Sequence, residues 1–277
     1  MLSRIQSWMF AAIVASPYIH ACNDQGFKNA AGGENIRPAE SPQPQAGFGT
    51  RPEAQGGGAT DSSGSNICQN GGQLNVVLVF DNSGSQSNSD LQSMRAGASI
   101  LLSELKTIGA RSNSFAANVS VVYFSSSASI GSNRWVDVGK NAAGAEADVN
   151  QATSKRGGDT FYGNAIQRAN ELLREKGASP AKQEQRNYVV FLSDGEPDDK
   201  DAVNSSAQSL IDQTGGVFLT IGTGGTSFPV LQSMSNMVSS QLPADHRGQF
   251  AVAKDQTALA GVFRQVGDKF KALCPSP

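Results

Sequence analysis

Two short apolar runs, Val76 to Phe80 and Val189 to Leu192, each pass without a break into a polar turn carrying an aspartate. The first turn reads Asp81-Asn82-Ser83-Gly84-Ser85, the second Ser193-Asp194-Gly195. A continuous β-branched run of this length, bounded by turn residues, predicts a buried strand. Both acidic turns then lie at the carboxyl ends of strands, the edge where open α/β sheets collect their ligands. Two carboxylates with several hydroxyls are hard oxygen donors, suited to Mg²⁺, Mn²⁺ or Ca²⁺.

The same texture continues from Ile67 onward, strand-like runs alternating with helix-like ones. Leu74–Asp81, Val119–Ser125, Trp135–Val138, Asn187–Ser193, Val217–Ile221 and Gln249–Ala253 read as strands. Leu91, Met94, Ala98, Leu101, Leu102 and Leu105 recur at helical spacing, as do Ile166, Ala169, Leu172 and Leu173 after Tyr162. Further helices are expected around Ala202–Ile211, over Phe228–Val238, and through Leu259, Val262, Phe263, Val266 and Phe270. This alternation predicts an α/β fold: a doubly wound, mostly parallel central sheet flanked by helices.

Composition separates a folded part from the rest. Of 277 residues only 38% are hydrophobic and 30 are glycine, so part of the chain is not packed core. Residues 23–66 are rich in Gly, Pro, Ser, Gln, Ala and Asn, with Phe27, Ile36 and Phe48 as the large apolar residues. Such a segment cannot bury enough surface to offset its ordering entropy. It is expected to be a flexible tether with a reach of roughly 35–40 Å. Before it, Arg4 and the apolar run Trp8–Ala15 have the form of an export signal, too short for an ordinary membrane span. The expected organisation is a signal peptide at 1–21, a linker at 22–66 and a single domain at 67–277.

Ile19-His20-Ala21-Cys22 resembles the lipobox of bacterial lipoproteins, although His20 departs from the small or aliphatic residue preferred there. That resemblance implies lipidation of Cys22 and an envelope location. With Asn23 rather than Asp next to it, the outer membrane is the expected destination. The chain has three cysteines, and Cys68 and Cys274 bracket everything that looks folded. An exported protein allows those two to pair, leaving Cys22 for the lipid. Cleavage after Ala21 with a free or intermolecular thiol, or pairing of Cys22 with one of the others, stays open on these residues.

The acidic turns belong to a longer pattern. The triplet Asp81, Ser83, Ser85 is followed by Thr160 in Gly157-Gly158-Asp159-Thr160-Phe161-Tyr162-Gly163, and then by Asp194. Order and residue types resemble the metal-ion-dependent adhesion site of the von Willebrand factor A domain family, over about residues 74 to 273. The resemblance implies that Asp81, Ser83, Ser85, Thr160 and Asp194 hold Mg²⁺, or Mn²⁺ or Ca²⁺ in its place. Gly84 permits the close turn between the two serines. An open coordination position would then take a Glu or Asp side chain from a protein partner. Tyr162 departs from the family, which often has a second Thr there. Some similar domains change affinity by sliding their C-terminal helix; a Cys68–Cys274 bridge just after that helix would restrain the slide and leave the site constitutive.

Other features carry less. Asp198, Asp199 and Asp201 form an acidic run, read as the approach to a helix N-terminus, where acids are favourable, rather than as a second cation position. Gly222-Thr223-Gly224-Gly225 lacks the Lys and spacing of a phosphate loop and reads as a turn at the sheet edge. A net charge of −2 gives no footprint for nucleic acid. The two histidines are His20, inside the signal, and His246, in a polar loop with no nucleophile elbow nearby, so no enzyme is expected. The expected function is a membrane-tethered module binding a protein ligand through the cation. The alternative is an envelope scaffold in which the metal is structural and the partner surface lies elsewhere.

Overall fold

Strands β1 (Gln73–Asp81) and β5 (Gln185–Ser193) lie side by side in the middle of a seven-stranded sheet. The computed structural model describes residues 67–68, 71–154, 156–225, 227–238 and 247–275. The expected signal segment, Cys22, the tether and His246 lie outside the described residues.

The other strands are β2 (Ala116–Phe124), β3 (Ala128–Ile130), β4 (Val136–Asp137), β6 (Gly216–Thr223) and β7 (Gln249–Ala253). Their order is β3-β2-β1-β5-β6-β7, with β4 also paired to β2. The pairs β2/β1, β1/β5, β5/β6 and β6/β7 are parallel, and only the short β3 and β4 run antiparallel. The helices are α1 (Asn88–Gly109), α2 (Ala143–Ala152), α3 (Tyr162–Glu175), α4 (Lys200–Thr214), α5 (Pro229–Asn236) and α6 (Gln256–Ala272).

Alternation along β1 explains the two cores. Leu74, Val76, Leu78 and Phe80 pack with residues of α1, α2 and α6 on one face. Val77 and Val79 pack with α3, α4 and α5 on the other. A strand buried on both faces needs apolar residues at consecutive positions, which is the pattern that made β1 and β5 legible. Two elements escaped the sequence reading, β3 and α2. β3 is three residues long, with Ile130 as its one large apolar side chain, and α2 faces the core with Ala145, Asp148, Val149 and Ala152.

Register is fixed by a polar ladder as well as by the apolar pattern. Asn75 lies opposite both Asn118 and Asn187. Asn118 Nδ2 donates to Asn75 Oδ1 at 3.0 Å, Asn75 Nδ2 to Asn187 Oδ1 at 2.8 Å, and Asn187 Nδ2 to the Thr214 carbonyl at 2.9 Å. Lys176 Nζ donates to Asn118 Oδ1 at 3.1 Å and closes the other end. A slip of one residue would leave these buried amides unpaired and turn every side chain to the wrong face.

Helix α6 is held along its length. A Cβ on Gly97 of α1 would come within 2.3 Å of the Phe263 ring, so that ring sits directly on the α1 backbone. Lys271 pairs with Glu104 at 2.8 Å, and Arg111 donates to the carbonyl of Cys274. Cys68 and Cys274 are disulfide-bonded with a Cα–Cα distance of 5.3 Å, as the exported-domain reading expected. Among the described residues no helix is long and apolar enough to cross a membrane.

Candidate metal centre

The parallel register of β1 and β5 sets the site. Phe80 pairs with Leu192, so the next residues, Asp81 and Ser193, emerge side by side at the carboxyl edge. Ser193 Oγ donates to Asp81 Oδ2, and the Ser83 amide donates to Asp81 Oδ1 at 2.8 Å. Asp81 is fully buried, and burial raises its pKa above the ordinary carboxylate value, with the Ser193 and Ser83 hydrogen bonds offsetting part of the rise. The chain then turns and enters α1 at once, because Ser87 and Asp90 cap the helix reciprocally.

The turn after Asp81 delivers its hydroxyls to one place. Ser83 Oγ and Ser85 Oγ lie 3.0 Å apart, and Ser85 Oγ donates to Asp194 Oδ1 at 2.8 Å. Asp81, Ser83, Ser85 and Asp194 therefore form one continuous hydrogen-bonded set. Asp194 is half-buried, and its pKa is also raised, chiefly by burial. Asn82 Oδ1 and Gln86 Oε1, in the same loop, are buried without a hydrogen-bond partner. Buried polar atoms of this kind are ordinarily met by ordered water, which a hydrated ion would bring.

Thr160 lies on a separate loop that is stitched to the first. The Gly84 amide donates to the Gly158 carbonyl at 3.0 Å, and the Gly157 amide to the Asn82 carbonyl at 2.9 Å. Arg156 Nη1 donates to the Gln86 carbonyl at 2.6 Å. Gly157 and Gly158 have φ of 141° and 85°, which few other residues adopt, and this lets the loop turn against Gly84. Thr160 itself is buried, with 9% of its surface exposed.

Tyr162 follows as the first residue of α3. Its ring is fully buried against Phe124 and Phe191, with centroids 5.6 and 4.8 Å away. Its hydroxyl donates to the Gly195 carbonyl at 2.6 Å. Burial raises the phenol's pKa further, so the group stays a donor. Tyr162 thus braces the Asp194-Gly195 turn from below. Tyr162→Phe leaves the Gly195 carbonyl without this donor and is expected to cost about 1–3 kcal/mol of stability in a denaturant titration. A loss below a few tenths of a kcal/mol would mean that water replaces the phenol.

The five residues expected from sequence are thus gathered on three neighbouring loops, four of them in direct contact. Two carboxylates and three hydroxyls are a donor set that fits a hard divalent cation and suits neither zinc nor a soft metal. Among the described residues no group of three or more His, Cys, Asp or Glu is placed to hold a metal ion, and this site itself brings only two such side chains, Asp81 and Asp194. The acidic run and two other side chains are also placed. Asp159 accepts from Ser126 Oγ at 3.1 Å, away from the hydrogen-bonded set. Trp135 is partly buried, with Lys176 Nζ 5.5 Å from its ring centroid. Asp199 opens α4 and Asp201 lies in its first turn, as expected of the acidic run, but the Asp199 side chain bonds the first amides of α3.

Comparison with known proteins adds the family. A sequence profile of the von Willebrand factor type A domain matches residues 75–265. The collagen alpha-5(VI) chain of Homo sapiens is 28% identical over 90 residues, which cover 32% of this chain and 3% of the collagen chain. The PilB minor pilin from Streptococcus sanguinis is similar in fold, at 15% identity and a TM-score of 0.56, over 72% of this chain and 61% of that one. The von Willebrand factor domain of a type V pilus tip protein from Porphyromonas gingivalis is 11% identical with a TM-score of 0.55, over 74% of this chain and 97% of that one. At these identities the structural likeness is one of fold. The chain spans a small fraction of the collagen chain and less than two thirds of the pilin.

Proposed function

The chain belongs to the von Willebrand factor type A domain family, and from that premise we propose that it is an envelope-tethered module that captures a protein ligand through a divalent cation. The observation that carries the reading is the unbroken hydrogen-bonded set of Asp81, Ser83, Ser85 and Asp194 at the carboxyl edge of the sheet. With Thr160 these residues would hold the ion, Mg²⁺ first and Mn²⁺ or Ca²⁺ in its place. Bound there, the ion supplies a Lewis-acidic position open to a carboxylate oxygen.

The protein's own contribution is charge and order. Asp81 and Asp194 bring formal charge, while Ser83, Ser85 and Thr160 bring neutral oxygens. A set so lightly charged leaves room for one further carboxylate, which a partner's Glu or Asp would provide. Ser193, Tyr162 and Arg156 hold the loops in place beforehand, which lowers the ordering cost of binding. The likeness to a pilin and a pilus tip protein supports adhesion over catalysis. No nucleic-acid partner is part of the proposal.

Anchoring completes it. A lipid on Cys22 and the linker at 22–66 would place the domain at the outer membrane, free to reorient. Mass spectrometry of the N-terminal peptide is expected to show an acylated Cys22, with a Cys22→Ser variant released into the soluble fraction. An unmodified Cys22 thiol would remove the anchor from the proposal. The binding itself is tested by capture of an immobilised peptide array carrying Glu or Asp, in Mg²⁺ and in chelator. Capture should require the metal; equal capture in chelator would favour a partner surface elsewhere, as in the scaffold alternative.

A further inference from the structure

Three backbone amides around Thr160 donate to just two side chains, and both belong to another loop. The Thr160 amide donates to Asp198 Oδ2 at 2.8 Å, and the Tyr162 and Gly163 amides to Asp199 Oδ1 and Oδ2 at 2.9 and 2.8 Å. The Asp198 amide returns a bond to the Thr160 carbonyl at 2.9 Å. We infer that Asp198 and Asp199 form a clamp that presents Thr160 to the cation, an inference that rests on the proposed metal centre.

Local chemistry explains why the clamp comes from outside. The first amides of a helix have no partner within it. The residue before α3 is Phe161, whose side chain has no acceptor, and no side-chain cap bond is made there. Asp199 sits at the start of α4 yet its side chain makes no cap bond to that helix. Its carboxylate is committed to α3 instead, where the helix dipole favours a negative charge. Gly163 allows this: a Cβ there would lie 2.7 Å from Asp199 Oδ2.

The clamp joins two of the three proposed ligand loops. Asp194 opens the turn that ends in Asp198 and Asp199, while Thr160 lies on the far side of it. Any shift of one loop is transmitted to the other through four charge-assisted or backbone bonds. Three of the four carboxylate oxygens of the pair are taken up by amides, so these acids position a ligand rather than form a second cation site. Asp198 and Asp199 are positioning residues, acting through Thr160.

A mutant cycle on the full chain separates this role from a general effect of charge or folding. Mg²⁺ affinity is measured by calorimetry for wild type, Asp198→Ala, Thr160→Ala and the double variant, with circular dichroism confirming the fold. Asp198→Ala is expected to weaken Mg²⁺ binding about 10- to 100-fold, as loss of outer supports of metal ligands does. In the Thr160→Ala background the same change should cost less than about 2-fold, because its target is gone. Asp198→Asn keeps one acceptor oxygen and should stay within about 3-fold of wild type, although the charge is lost. Asp199→Asn must set an amide NH₂ against a backbone N–H, and serves as the second probe if Asp198→Ala does not fold. Equal losses in both Thr160 backgrounds, or an Asp198→Asn variant as weak as Asp198→Ala, would overturn the clamp. If wild type itself takes up no Mg²⁺, the metal centre fails first, which is a different result from an additive cycle.

Discussion

Asp81→Asn is expected to abolish cation binding while leaving the metal-free fold at least as stable as wild type. The two halves of this result have one cause. Asp81 is fully buried, and its folded-state pKa is raised, chiefly by desolvation. The metal-free folded protein therefore holds a proton at this site more tightly than the unfolded chain. Linkage then makes stability fall as pH rises from the ordinary value near 3.8 through the raised folded value. Above that window the buried charge is a standing cost, and a cation offsets it. Asparagine cannot ionise, so it removes the cost and the main ligand together. Mg²⁺ affinity should drop more than about 100-fold, beyond what loss of an outer support causes. Wild type should gain about 2.7 kcal/mol at a free ion concentration 100 times its dissociation constant, and the variant nothing. Asp194 shares the raised pKa, so wild-type affinity should also weaken as pH falls and protons compete for both carboxylates. Melting curves with and without Mg²⁺ at several pH values test all of this. A variant that melts well below chelated wild type would show that Asp81 is structural, as the scaffold reading holds.

Cys68→Ser with Cys274→Ser is the second large effect, and it should fall on stability alone. The residues are separated by 206 positions, and the chain-entropy account gives about 5 kcal/mol for closing a loop of that length. Native disulfides in exported domains are commonly worth about 2–5 kcal/mol. For a domain of this size that corresponds to a fall in melting temperature of roughly 5–20 °C. Cation affinity should nevertheless stay within about 2-fold. The bridge is only one of several fastenings on α6, since Phe263 sits on the bare backbone at Gly97 and Lys271 pairs with Glu104. A large affinity change on reduction would mean that α6 slides once released, and that the bridge alone makes the site constitutive.

The sequence announced the strands wherever burial on both faces forced a run of apolar residues, as at Val76–Phe80 and Val189–Leu192. It was silent where the element is short or its buried face is small. Ile130 gives too little periodicity to mark β3, and Ala145 and Ala152 do not distinguish α2 from a loop. The candidate ligands were legible because side-chain chemistry at strand ends is a local property. The work of Asp198 and Asp199 was not, because a carboxylate that caps a distant helix looks in sequence like one that caps its own. The place of Tyr162 was visible as a departure from the family, but its bond to Gly195 depends on a fold that brings β5 beside β1.

Strand β1 also decides how the domain would bear a mechanical load. It runs from Gln73 at one end of the sheet, after the turn that follows Cys68 in sequence, to Asp81 at the other. In the proposed reading, a pull between a ligand at Asp81 and the chain entering before β1 would be carried along this extended backbone as covalent tension. A pull on the chain leaving at Cys274 is passed across the disulfide to the same strand. The helices and the outer strands lie off that line. A ligand held at Asp81 would then be loaded along β1, in line with the strand rather than across the sheet.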